Sequence, residues 1–232
     1  MGTECTCPAC AKGGRPLFNG SDLTGWVIPA GDNGHWKVMD GVIDYDACSE
    51  AKGEKHLWTA DSFKDFHFHA EWRFKETTGF YPTPNLLPDG SYEKDASGEV
   101  IKTPLPNADS GIYLRGVSKA QINIWCWPVG SGEIWGFRTD PSMPPEVHAG
   151  CVPKVCADNP VGDWNAFDVT MQGDRLTVLL NDQLVIDNVQ LPGVPEEGAI
   201  ALQHHGGRNA ETGEMSPASS LIQFRNLWIR EL

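Results

Sequence analysis

Four stretches of alternating sequence carry side chains able to hydrogen-bond a ligand rich in hydroxyl groups. Glu71 and Arg73 lie in FHFHAEWRFK (66–75), Tyr113 and Arg115 in 109–115, Gln121, Asn123 and Trp125 in 121–126, and Gln203 and His205 in 200–206. In the first stretch Phe66, Phe68, Ala70, Trp72 and Phe74 alternate with His67, His69, Glu71, Arg73 and Lys75, and the other three follow the same rule. Successive side chains of a β-strand point to opposite faces, so each stretch offers one dry face and one polar face. If the strands are neighbours, the polar faces merge into a patch suited to sugar hydroxyls, with Glu133 as a further carboxylate. Trp125, Trp135, Trp127 and Tyr81 supply planes for the apolar side of a pyranose. The same alternation is expected of any antiparallel sheet with one solvated face, so spacing does not separate binding from catalysis.

Other chemistries find less support. No Ser-His-Asp signature, phosphate loop, H-E-x-x-H or EF-hand loop occurs. His204 and His205 are adjacent in a strand pattern, so one ring points inward and the other outward, and they cannot chelate one metal together. His67 and His69 do share a face and could bind a metal, although a solvated pair is the blander reading. Of seven cysteines, Cys5, Cys7 and Cys10 fall in CTCPAC, with C-x-x-C spacing but neither the rest of a zinc site nor a βαβ context. They read as disulfide staples, with Cys151 and Cys156 pairing across VPKV. Cys126 falls in a strand as an inert core thiol, and the odd total leaves at least one cysteine unpaired.

The elements that must hold these residues are strands. Phe167, Val169 and Met171 run to a turn at Gly173-Asp174, Leu176, Val178 and Leu180 to a second at Asn181-Asp182, and LVI follows: a three-strand meander. Ile222 and Phe224 fall out of phase with Leu227 and Ile229, which predicts a β-bulge near Arg225. Residues 79–106 and 138–163 are long, Pro-rich and aperiodic, and read as ordered lids or rims. Short strands parted by Gly, Pro, Asn and Asp, with no helical period between them, predict an all-β antiparallel sandwich or jelly roll. At 232 residues the chain suits one such domain, 17–232, after a Cys-containing segment, 1–16. Its 31 acidic against 18 basic residues give a formal charge of −13, which disfavours nucleic acid and anionic membrane surfaces as partners. No run approaches the ~20 apolar residues of a membrane span. The disulfide reading points to a secreted or periplasmic protein whose signal peptide has been removed.

The sequence resembles a known family across nearly its whole length. LFNGSDLTGW (17–26), WKVMDGVI (36–43), FHFHAEWRF (66–74), DSGIYLRG (109–116), AQI (120–122), GEIWG (132–136), DWN (163–165), LNDQ (180–183), IALQHHG (200–206) and FRNLWI (224–229) run in the order of the 3-keto-disaccharide hydrolase family, formerly a domain of unknown function. The resemblance implies a concanavalin A-like jelly-roll β-sandwich and cleavage of glycosides already oxidised at C3. In such a reaction the ketone acidifies the C2 proton, a base removes it and the C1 oxygen departs. It further implies His205 or Glu71 as the base and Arg115 at the developing oxyanion, with Gln121 and Arg73 orienting hydroxyls, while Trp26, Trp36 and Trp164 pack. The chain departs from the pattern in its long 79–106 insertion and in Trp125-Cys126, where the family commonly shows an acidic residue. A divalent ion could polarise the ketone, but no ligand set stands out. Two rival readings remain: a non-catalytic carbohydrate-binding module, and a glycosidase using paired carboxylates, for which only Glu71 and, more weakly, Glu133 are available.

Overall fold

The alternation along residues 66–74 passes directly into structure. In a computed structural model, which describes residues 13–232, Phe66–Phe74 is a single strand, β6, whose five apolar residues are at most 3% exposed while those between them are half-buried. The predicted meander lies beside it as β11 (Asn165–Gln172), β12 (Arg175–Leu180) and β13 (Gln183–Gln190). Asn181 and Asp182 both take positive φ, 51° and 63°, the geometry of a two-residue hairpin turn. With β15 (Leu221–Glu231), β4 (Val42–Asp46) and β3 (Lys37–Met39) these strands form an antiparallel sheet in the order β13-β12-β11-β6-β15-β4-β3. The eighth strand, β1 (Arg15–Pro16), pairs with β15, so the sheet takes in residues before Leu17. The expected bulge is present: against β6, the register of β15 slips between Arg225 and Trp228.

The second sheet has five strands in the order β10-β9-β14-β5-β2: Val117–Trp125, Asp109–Leu114, Ala201–Leu202, Leu57–Thr59 and Trp26–Val27. Its dry face presents Ile112, Leu114, Ile122, Ile124 and Leu202 to Phe68, Trp72, Phe167, Val178 and Phe224 of the first sheet, all 2% exposed or less and all within one core cluster. Burial of each such side chain contributes roughly 1.5–3 kcal/mol, so the two sheets form an all-β jelly-roll sandwich held from within. Trp26 and Trp36 pack as expected: Trp26 Nε1 donates to the Leu17 carbonyl, and Trp36 stacks on Tyr45 at 3.7 Å.

The two aperiodic stretches are ordered. Residues 79–106 carry a hairpin, β7 (Phe80–Pro84) with β8 (Lys102–Pro106). After β10 the chain forms two helices, α1 (Trp135–Arg138) and α2 (Pro145–Gly150). At four and six residues they are too short to leave a helical period in the sequence.

The cysteine reading needs correction. Cys48, Cys126, Cys151 and Cys156 are all free thiols: Cys151 is buried just after α2, whereas Cys156 is exposed, so the pair across VPKV does not form. Cys126 packs against the core, and burial pushes its thiol up to about 11, so it stays protonated and unreactive at neutral pH. Cys5, Cys7 and Cys10 lie outside the described residues.

Candidate active site

The polar face of the five-stranded sheet is concave. The β9–β10 hairpin sets Asp109 opposite Trp125, Gly111 opposite Asn123 and Tyr113 opposite Gln121, and β14 joins the other side of β9. Together with Tyr81 from the β7–β8 hairpin, Trp135 from α1, Ser118, Gln203 and His205, these strands line a hollow of about 410 Å³. Eight residues expected from sequence therefore converge: Tyr81, Tyr113, Gln121, Asn123, Trp125, Trp135, Gln203 and His205.

The floor is a locked row of amides. Gln121 Nε2 donates to Gln203 Oε1 at 2.8 Å and to Asn123 Oδ1 at 3.2 Å, and Asn123 Nδ2 donates to Glu133 Oε2 at 2.9 Å. The row can lie flat because position 111 is glycine: a Cβ there would come within 2.6 Å of Gln121 Nε2 and 2.9 Å of Gln203 Oε1. Glu133 does not line the hollow. Fully buried beneath it, Glu133 accepts from Arg138 Nε, while Arg138 also reaches the Gly90 carbonyl and the Tyr92 hydroxyl, so the expected sugar-binding carboxylate instead anchors the floor. Burial holds the Tyr113 hydroxyl up at about 12, which keeps it a proton donor at neutral pH.

Two titratable groups meet at the wall. His205 Nδ1 lies 2.7 Å from the Ala218 carbonyl, which can only accept, so Nδ1 donates and in the neutral ring Nε2 is the nitrogen that presents a lone pair. The loop bearing it is strapped to the segment before β15: Ser220 Oγ accepts from the His205 amide, the Ser220 amide donates to the His205 carbonyl, and Ser219 Oγ accepts from Gly207. Asp109 Oδ2 is 3.9 Å from His205 Nε2, and its Oδ1 is buried without a hydrogen-bond partner. Burial, reinforced by the nearby Glu133 charge, raises the Asp109 carboxyl well above the ordinary carboxylate range. The wall thus sets an imidazole beside a carboxyl whose pKa is raised, the kinds of group that proton-transfer catalysis uses.

Besides Glu133, four expected residues lie elsewhere: Trp127 lines a neighbouring cavity, and Glu71, Arg73 and Arg115 are farther off. Glu71 and Arg73 are on β6, on the outward face of the opposite sheet. Glu71 accepts from Arg225 Nε and Asn226 Nδ2, both at 2.6 Å, and Arg73 donates to Gln223 at 2.8 Å and sits 4.7 Å over the Trp164 ring. Shared alternation made them look like neighbours of Gln121, but alternation fixes a face within a sheet and does not say which sheet. Arg115 is a hairpin corner: Arg115 and Gly116, at φ 54° and 73°, turn β9 into β10. Its side chain, 1% exposed, donates to the Pro195, Glu196 and Gly173 carbonyls and pairs with Asp65 at 3.1 Å. Arg115 therefore ties loops at the far end of β9 and does not join His205.

Asp109 was the residue passed over, although it shares the period-two face of Gly111 and Tyr113. The strap residues Ala218, Ser219 and Ser220 gave no sequence signal because they act mostly through backbone and hydroxyl contacts. His204 points to the other side, hydrogen-bonding Tyr45 at 2.6 Å. His67 and His69 are occupied by Thr170 and Asp168 on β11. Among the described residues no group of three or more His, Cys, Asp or Glu is placed to hold a metal ion, so the divalent ion left open by the sequence has no ligand set there.

Comparison with known proteins agrees with this architecture. The family described as the 3-keto-alpha-glucoside-1,2-lyase-like domain matches residues 13–230. Two crystal structures from Parabacteroides distasonis ATCC 8503, each described as a candidate glycosyl hydrolase, share the fold. One is 19% identical, with a TM-score of 0.59 over 100% of this chain and 98% of its own. The other is 23% identical, with a TM-score of 0.58 over 94% and 84%. No curated protein matches the chain.

Proposed function

Because the chain belongs to the 3-keto-alpha-glucoside-1,2-lyase-like family, we propose that it is a carbohydrate-active enzyme that cleaves glycosides carrying a ketone at C3, by elimination across C1 and C2. His205 Nε2 takes the C2 proton, leaving an enolate whose charge rests on the C3 oxygen. Tyr113 donates a hydrogen bond to that oxygen. As the ketone re-forms, the C1–O bond breaks, a C1=C2 double bond appears, and neutral Asp109 delivers its proton to the departing oxygen. Addition of water across the same double bond, with the two residues in exchanged roles, completes a net hydrolysis. The amide floor and the Trp125 and Trp135 rings orient the sugar.

The observation that carries this reading is His205 Nε2, on a ring whose Nδ1 is held by the Ala218 carbonyl, lying 3.9 Å from an Asp109 carboxyl whose pKa burial raises, in one hollow. The test is to incubate the protein with a 3-keto-glucoside and with its unoxidised parent. Release of the aglycone from the keto form alone is expected. Cleavage of the parent would point to an ordinary glycosidase, and retention of both sugars without turnover to a binding module; either result overturns the proposal.

A further inference from the structure

A second cavity, of about 340 Å³, opens at the end of the sandwich, lined among others by Trp72, Leu105, Trp125, Trp127, Pro160 and Val161. It shares one wall with the hollow, since Trp125 lines both. The wall is an aromatic ridge: Tyr81, on the hollow side, meets Trp125 edge-on at 5.7 Å, and Trp125 meets Trp127, on the cavity side, at 4.7 Å. Asp109, the residue assigned to protonate the departing oxygen, is the cross-strand partner of Trp125. A group leaving past Asp109 is therefore set down on the ring that opens into the cavity.

We infer that this cavity seats the leaving group and selects a flat aromatic aglycone over a second sugar, an inference that rests on the cleavage reading of the hollow. A sugar ring needs several polar partners, or the burial of its hydroxyls is costly. Of the polar side chains bordering the cavity, Asp163 is an exposed carboxylate, while Asp158 and Asn165 are committed to their own loops. Asp158 accepts from the Ser131 amide at 2.8 Å and its hydroxyl at 2.6 Å, and Asn165 Oδ1 accepts from the Asn159 amide and from Asn181 Nδ2. What the lining offers instead is apolar surface: the Trp125 and Trp127 rings with Leu105, Pro106, Pro160 and Val161. Indole rings beside apolar side chains fit a flat phenolic ring, whose apolar surface stacks on them.

Val161, 47% exposed at the cavity, can be changed without disturbing the core. The experiment compares wild type, Val161→Asp and Val161→Trp in two measurements: calorimetric titration with free 4-methylumbelliferone, and kcat/KM for an aryl 3-keto-glucoside against a 3-keto-disaccharide. Wild type is expected to bind the free ring and to favour the aryl substrate by about tenfold or more, and each substitution to weaken both by about tenfold. No binding of the free ring, binding that neither substitution alters, or a wild-type preference for the disaccharide overturns the inference. If the ring binds and the substitutions weaken it while neither keto substrate is turned over, the cavity stands as an aromatic site and the cleavage reading of the hollow falls instead.

Discussion

The outward faces of the two sheets follow the same alternation but treat their polar groups in opposite ways. On the eight-stranded sheet charge meets charge: Glu71 with Arg225, Asp44 with Lys75, His69 with Asp168. Arg73 and Arg225 also flank the Trp164 ring, at 4.7 and 3.9 Å. On the five-stranded sheet the floor is neutral amides, burial raises the pKa of the Asp109 carboxyl, and one of its oxygens has no partner. A buried polar group left unpaired costs about 1–3 kcal/mol, so the second face keeps a cost that the first has removed. The lesson is that partners distinguish a site from a surface better than residue types do: Glu and Arg on one face are spent on each other, whereas His205 and Asp109 keep their reactive atoms free.

The largest effect expected from this contrast is at His205. His205→Ala should lower kcat on a 3-keto-glucoside by about 10³-fold, and its melting temperature should move little because the side chain is 39% exposed. Steady-state kinetics beside a thermal melt separates the two. Unaltered turnover would remove the hollow as the reaction site.

Arg115→Met comes next and should act in the opposite currency. Three carbonyl contacts are lost and Asp65 loses its cation, which should cost about 3 kcal/mol of stability in denaturant unfolding. Below the transition, kcat/KM should stay within about twofold of wild type, because Arg115 ties loops away from the chemistry. A fall in kcat without a fall in stability would return Arg115 to the oxyanion role that the family resemblance implied.

Asp109→Asn joins both currencies. Asparagine cannot deliver a proton, so kcat should drop by about 10²-fold. In wild type, activity should decline as pH rises through the elevated pKa of Asp109, and the variant should lose that alkaline limb. The sign for stability follows from the same shift. The folded state holds a proton that the unfolded chain releases near its ordinary 3.8, so wild-type stability falls as pH rises above that value toward the folded pKa. Asn removes this slope and should raise the melting temperature at neutral pH by about 2–4 °C, as expected where function is kept at the expense of stability.

How far the sequence reaches can be seen residue by residue. Period-two patterning located β6, the meander, the β15 bulge and the polar faces of β9 and β10, because a strand with one dry face has few registers open to it. Gln121, Asn123, Gln203 and His205 were found by the same rule. Sheet membership was not legible: β6 and β9 alternate alike, and only long-range pairing puts β6 beside β11 and β15 and puts β9 beside β10 and β14. Arg115 misled for a local reason, since the Arg-Gly pair that looked like a site motif is also a tight hairpin turn. Asp109 escaped because a lone aspartate at a strand start looks like surface until burial and Glu133 are placed around it.

The smallest expected effect is the sharpest test of the two faces. Glu71 and Arg225 are 20% and 39% exposed at the side chain, so solvent screens their pairing. Glu71→Gln keeps an acceptor for Asn226 and should cost at most about 1 kcal/mol. Turnover should be unchanged within about twofold, even though the family resemblance put Glu71 beside His205 as a candidate base. The substitution removes a proton acceptor but almost no volume, so a large loss of kcat could not be ascribed to repacking. Such a loss would move the reaction to the charged sheet, and equal rates would leave the neutral one as its place.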